Sequence, residues 1–139
     1  MDSALILFTL ISLFGWGIGS FFAKLATNKI GNSALFWDMI GFSIVSTIYA
    51  LFTFKPSVLL ASDKGGMILA ILAGVTGALG GVGFYTLMSM KDASVVAPLT
   101  ALYPALTAIL AFTFLHEQLT FVRVLGIVLA TVAVVFLSV

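Results

Sequence analysis

The chain has 139 residues, 62% of them hydrophobic and 8% charged, with a formal net charge of +1 at pH 7 and a mean hydropathy of +1.27. Soluble domains carry about 45–50% apolar and about 25% charged residues, so this composition excludes a soluble fold and implies an all-α integral membrane protein. The small net charge offers nothing to nucleic acid, the lack of cysteine removes disulfides and thiolate-bound metal, and the single histidine, His116, cannot build a histidine cluster, so neither metal nor cofactor is expected.

Charged and turn residues divide the chain into five apolar runs, at residues 3–27, 34–54, 67–90, 93–115 and 119–139. Each is about 20 residues or slightly longer, enough for a helix to cross about 30 Å of hydrocarbon. Residues 1–139 therefore read as one domain of five transmembrane helices. The connections are too short for an extramembrane domain, which places function inside the bundle. The opening "MDS" is acidic where a secretory leader is basic, and the run behind it is too long for a leader's core. The first run is expected to be a retained helix.

On that helix, Thr9, Ser12, Trp16, Ser20, Lys24 and Thr27 fall within one narrow sector at about 100° per residue. Gly15, Gly17 and Gly19 lie beside this stripe, where they allow close approach of other helices. Trp16 sits near mid-span, where an aromatic-belt role does not account for it. The spacing aims Lys24 along the same face, away from lipid. The competing reading has Lys24 snorkelling to the membrane surface and the hydroxyls marking helix packing.

The second run groups Ser43, Ser46 and Thr47, with Ala50 below them and Asp38 near the start, within reach of Lys24 or Lys29. The third carries "GVTGALGGVGFY". Gly74, Gly77, Gly80, Gly81 and Gly83 predict a thin, closely packing helix, and no preceding strand makes them a nucleotide fingerprint. The fourth contains Pro98 and Pro104, each of which removes a backbone donor and frees a carbonyl one turn earlier, so a distorted helix is expected. Thr100, Tyr103, Pro104 and Thr107 share one of its faces, extended by Ala111. His116, Glu117 and Arg123 cluster at the following turn, where an interfacial ion pair is expected to fix the hairpin. On the fifth run Gly126, Ala130 and Ala133 form a small-residue face suited to helix association, here assigned to a dimer interface.

An odd number of spans puts the termini on opposite sides. Lys55, Lys64 and Arg123 then lie on the N-terminal side, and Lys24, Lys29 and Lys91 on the other. Orientation follows the lysine and arginine imbalance, and here the sides are equal. The chain is expected to insert both ways up and pair antiparallel with itself, the alternative being that a partner or the synthesis machinery sets its orientation.

These residues resemble the drug/metabolite transporter superfamily, specifically its EamA-type domain. "LFGWGIGSFFAKLA" is similar to that family's tryptophan–glycine opening followed by a lysine. The last third, from "MKDASVVAPLTALYP" through "LHEQLTFVRVLGIVLATVAVVFLSV", is similar to its small residues, proline, glutamate closing the fourth helix and glycine-bearing final helix. Family members commonly hold two such units in inverted tandem, and this chain resembles a single unit. A likeness to the four-helix, dual-topology small multidrug-resistance transporters also exists, but their membrane glutamate would fall at Trp16, so proton-coupled export of cationic drugs is not expected. Asp38 stands where the EamA pattern frequently has a basic residue.

The resemblance implies a non-enzymatic transporter of a small, amino-acid-like metabolite in a prokaryotic cytoplasmic (inner) membrane. It would work by alternating access in an antiparallel homodimer. Trp16, Ser20, Lys24, Thr100, Tyr103 and Thr107 are the candidate solute-binding residues. The alternatives are a non-transporting membrane scaffold, half of a heteromeric transporter, or a lipid translocase.

Overall fold

The computed structural model describes residues 3–55, 57–58, 62–118 and 120–138. Leu119 and Val139, the expected ends of the fifth run, lie outside the described residues, as do Pro56 and residues 59–61 of the longest connection. Among the described residues every regular element is helical: α1 Ser3–Ile30, a 3₁₀ turn at Gly31–Ser33, α2 Ala34–Thr53, α3 Lys64–Met90, α4 Ala93–Thr100, α5 Tyr103–Phe114 and α6 Phe121–Ser138. In hydrocarbon no water is available to backbone groups, so an apolar chain must satisfy them within helices.

The protein is an integral membrane helical protein. Three helical stretches are long and apolar enough to cross a bilayer, Ser3–Thr53, Lys64–Met90 and Ala93–Phe114, and Phe121–Leu137 is a shorter apolar helix. The first of these is not one rod. At about 1.5 Å per residue its 51 residues would be more than twice as long as the hydrocarbon is thick. Gly31, at φ +59°, ends α1 in the left-handed conformation that a side chain would strain. The Ser33 hydroxyl donates to the Ile30 carbonyl (2.6 Å), and α2 doubles back in contact with α1. The polar "TNKIGNS" segment at the end of the first run is thus mostly helix. Its first four residues extend α1, and Lys29 in the last turn complements the negative end of the helix dipole.

Other boundaries follow from caps. The Asp63 carboxylate accepts from the Gly66 N–H (2.7 Å), which starts α3 three residues earlier than the apolar run suggests. The Thr120 hydroxyl accepts from the Arg123 N–H (3.3 Å) at the start of α6. The expected distortion of the fourth run is a full break. The chain leaves α4 after Thr100 and re-enters helix at Tyr103, and the Ala101 N–H donates to both Ala97 (3.1 Å) and Pro98 (3.0 Å). Pro104 has no N–H to give the Thr100 carbonyl, so the ladder stops there.

The chain divides into two compact units, Met1–Ser89 and Met90–Val139. In the first, burial concentrates where the end of α1, the start of α2 and the end of α3 meet. Ala23, Ala34 and Tyr85 form this core, with Ala26, Leu35 and Phe84 packed on it, and Met88 is 0% exposed. In the second, α6 packs more extensively on α4 than on α5, and Val96 of α4 is buried. Most large apolar side chains are exposed, as far as 89% at Phe52. That inverts a water-soluble pattern and suits a bilayer as solvent.

Candidate functional site

In the first unit the polar stripe of α1 divides in two. Along its length the hydroxyls bond back to their own helix: Thr9 to Leu5 (2.7 Å), Ser12 to Phe8 (3.0 Å) and Ser20 to Trp16 (2.8 Å). Such back-bonding lets a hydroxyl sit in an apolar span at little cost. Trp16 projects from the middle of this stretch with 68% of its surface exposed.

Toward the C-terminal end of α1 the stripe becomes a packed polar joint. The Lys24 ammonium donates to the Met88 carbonyl (2.9 Å). The Thr27 hydroxyl, 5% exposed, donates to the Lys24 carbonyl (3.0 Å) and lies 3.4 Å from the same Met88 oxygen. Met88 is in the last turn of α3, where the final four carbonyls of any helix lack an intrahelical donor and the dipole is negative. A lysine from α1 therefore caps α3. Asp38, expected within reach of Lys24 or Lys29, interacts with the Tyr85 hydroxyl, a hydrogen-bond donor on α3.

Tyr85 and the Met88 carbonyl escaped sequence reasoning. The carbonyl had a signal, because Met88 precedes the "KD" turn by less than one helical turn. Tyr85 had none, since its polar partner is 47 residues earlier in the chain. On α2, Ser43 and Thr47 line a shallow groove with Met39 and Ile44, while Ser46 bonds back to the Ser43 carbonyl (3.2 Å). Among the described residues, Gly81 alone of the third-run glycines meets a neighbour: a Cβ there would lie 3.4 Å from Leu35 Cδ1.

The remaining candidates belong to the second unit and flank the helix break. Thr100 ends α4, its hydroxyl bonded to the Val96 (2.9 Å) and Ala97 (3.1 Å) carbonyls. Tyr103 begins α5 and is 54% exposed, and the Thr107 hydroxyl bonds to its carbonyl (3.1 Å). Trp16, Ser20 and Lys24 thus group in one unit, and Thr100, Tyr103 and Thr107 in the other.

The second unit also holds a groove of ≈ 550 Å³ between α5 and α6. Its walls are small: Ala101, Ala105, Ala108 and Ala111 face Gly126 and Ala130, so these last two line a groove within the unit. Ala133 lies further along α6 and is exposed. Glu117 and Arg123 stand at the groove's turn end. The ion pair expected there is not formed among the described residues. His116 takes φ +53°, and the Glu117 N–H reaches back to the Ala111 carbonyl (3.3 Å), a left-handed helix cap. This cap fixes the backbone of the turn, and Arg123 donates to the Gln118 carbonyl (3.1 Å) instead.

A family model for EamA-like transporters matches residues 3–139. The chain belongs to the EamA-like transporter family. An uncharacterized protein of Methanocaldococcus jannaschii is 32% identical over 140 residues, covering 100% of this chain and 98% of that protein. No solved structure matches. The drug/metabolite transporter resemblance is thereby confirmed, and this EamA-like chain is a membrane protein of a solute-transporter family, not of an enzyme family.

Proposed function

We propose that this chain is one protomer of an alternating-access transporter for a small, amino-acid-like metabolite in a prokaryotic cytoplasmic membrane. Two copies crossing the bilayer five times each, in opposite orientations, would enclose one solute chamber near the midplane. The observation that carries this reading is the family match over essentially the whole chain. The broken fourth span supports it. Discontinuous helices at mid-membrane depth supply binding groups in transporters, because irregular backbone is tolerated there only beside a cavity or a protein neighbour. Balanced lysine and arginine counts on the two sides support pairing of inverted copies.

Within the chamber, Trp16 stacks on the solute or gates it. Ser20, Thr100 and Thr107 offer hydroxyls able to accept a bond from the solute while donating to their own helix, and Tyr103 offers a phenol. Lys24 favours an anionic group on the solute, but its bond to Met88 gives it a second duty, holding α1 against α3. Ala133 lies on the exposed length of α6 through which the copies pair. Uptake into liposomes, screened over amino-acid-like solutes, tests the reading. Trp16→Ala is expected to abolish uptake of the transported solute while helicity and assembly persist. Unchanged uptake by that variant removes Trp16 from the site, and a protein that moves none of the solutes is a scaffold or needs a different partner.

A further inference from the structure

The groove between α5 and α6 has a shape, depth and charge pattern that the transport reading does not use. Alanines and Gly126 make much of its lining, with Leu102, Pro104, Ile127 and Thr131 beside them, and its volume of ≈ 550 Å³ falls in the range of pockets that hold a small organic ligand, about 300–1,000 Å³. From Ala111 to Ala101 it follows ten residues of chain, about 15 Å at helical rise, or half of a hydrocarbon core of about 30 Å. It therefore reaches from one membrane surface to the middle, the depth of a single leaflet. Its origin is local: the break after Thr100 redirects α5, while α6 follows α4.

The charges sit only at the shallow end. Glu117 and Arg123 both line it, yet they do not pair with each other, and the Gln118 carbonyl takes one guanidinium donor. A guanidinium has five donors in a fork that matches phosphate, and the carboxylate beside it suits a primary ammonium. An apolar trough one leaflet deep, ending in separated cationic and anionic groups at headgroup level, is complementary to a zwitterionic lipid.

We infer that the α5–α6 groove is a binding site for a bilayer phospholipid of the phosphoethanolamine type, with an acyl chain along the alanine wall, its phosphate on Arg123 and its ammonium on Glu117. The site lies within the second unit and would exist whether or not the protein transports. A bound chain also satisfies the packing of a face that otherwise has small side chains on both walls.

The test is native mass spectrometry of the full chain released from nanodiscs of equal phosphatidylethanolamine and phosphatidylglycerol. Wild-type protein is expected to retain the ethanolamine lipid about fivefold over the glycerol lipid, the upper end of what an interfacial ion pair contributes. Glu117→Gln, a change in an exposed turn, should erase that preference while lipid is still retained. Ala108→Phe, which fills the trough, should remove most of the retained lipid of both kinds. Equal retention of the two lipids by wild type overturns the headgroup assignment, and full retention by Ala108→Phe overturns the groove. Cysteines placed at Ala108 in the naturally cysteine-free chain distinguish a protein occupant. Efficient crosslinking between two copies in the same nanodiscs means a second protomer fills the groove, which also overturns the proposal.

Discussion

Removing the Lys24 ammonium separates a joint from a ligand. In the structure it donates to a terminal carbonyl of α3 at 2.9 Å, with the Thr27 hydroxyl 3.4 Å from the same oxygen. Hydrogen bonds to charged groups contribute about 1.5–3 kcal/mol in soluble proteins. Interhelical hydrogen bonds in membranes average about 0.6 and reach about 1.7 kcal/mol. A favourable helix-dipole contact adds about 0.3–1 kcal/mol. The membrane reference governs here, and Thr27 can shorten its bond once the ammonium has gone, so Lys24→Met is expected to cost about 1–2 kcal/mol. Thr27→Val alone should cost about 0.5 kcal/mol, because Lys24 still satisfies the carbonyl. The double variant leaves a buried acceptor with no donor and should exceed the sum by about 1 kcal/mol. Equilibrium unfolding in mixed micelles, followed by circular dichroism, gives all three values. A cost for Lys24→Met below about 0.5 kcal/mol, with strict additivity in the double variant, would refute the capping argument. Full stability combined with lost uptake would make Lys24 a solute ligand and nothing more.

Other consequences can be measured alongside. His116→Gly removes a side chain from a left-handed position and should raise stability by about 0.5–1 kcal/mol in the same unfolding assay, whereas destabilisation would show that the imidazole makes a contact of its own. Pro104→Ala restores an N–H facing the Thr100 carbonyl; hydrogen exchange at residues 101–105 should slow and uptake should fall, and unchanged uptake would mean that the break plays no part in transport. Gly77→Ala, with open space at its Cβ, should stabilise by about 0.5–1 kcal/mol, while Gly81→Ala comes into close contact with Leu35 Cδ1 at 3.4 Å and should gain less. If Gly77→Ala is the more damaging, a second copy packs on that face of α3.

Much of the fold was legible in the sequence because membrane insertion imposes a coarse rule. A helix must be about as long as the hydrocarbon is thick, and Lys91, Asp92 and the loop polar residues punctuate runs of that length. A distortion of the fourth run was equally legible, since Pro98 and Pro104 remove backbone donors wherever they lie in a helix, but not that it would divide the run into two helices. The helical reading of "TNKI" was not. Its polarity suggests a loop, but a helix continues past the apolar segment until something stops it, and the stop is Gly31.

The polar joint was half visible. Periodicity put Lys24 and Thr27 on one face, but a partner 64 residues away that is a backbone carbonyl leaves no mark in side-chain patterns. The expected ion pair at Glu117 and Arg123 failed for a related reason. Proximity in sequence brought the charges to one turn, but the left-handed cap at His116 ties the Glu117 backbone back to Ala111, and Arg123 bonds to the Gln118 carbonyl. The small residues of α6 were legible as a face, but periodicity does not say what lies against them: Gly126 and Ala130 line a groove, and the pairing of copies through this face is a proposal.

The central claim is that inverted copies build the chamber together. Reporter fusions at the C-terminus, one active only in the cytoplasm and one only outside it, test it most directly in cells expressing this chain alone. The account predicts comparable signal from both reporters, and a shift toward one when two lysines are added to a single loop. Signal from one reporter only, with full solute uptake and no oppositely oriented partner in the membrane, would contradict it.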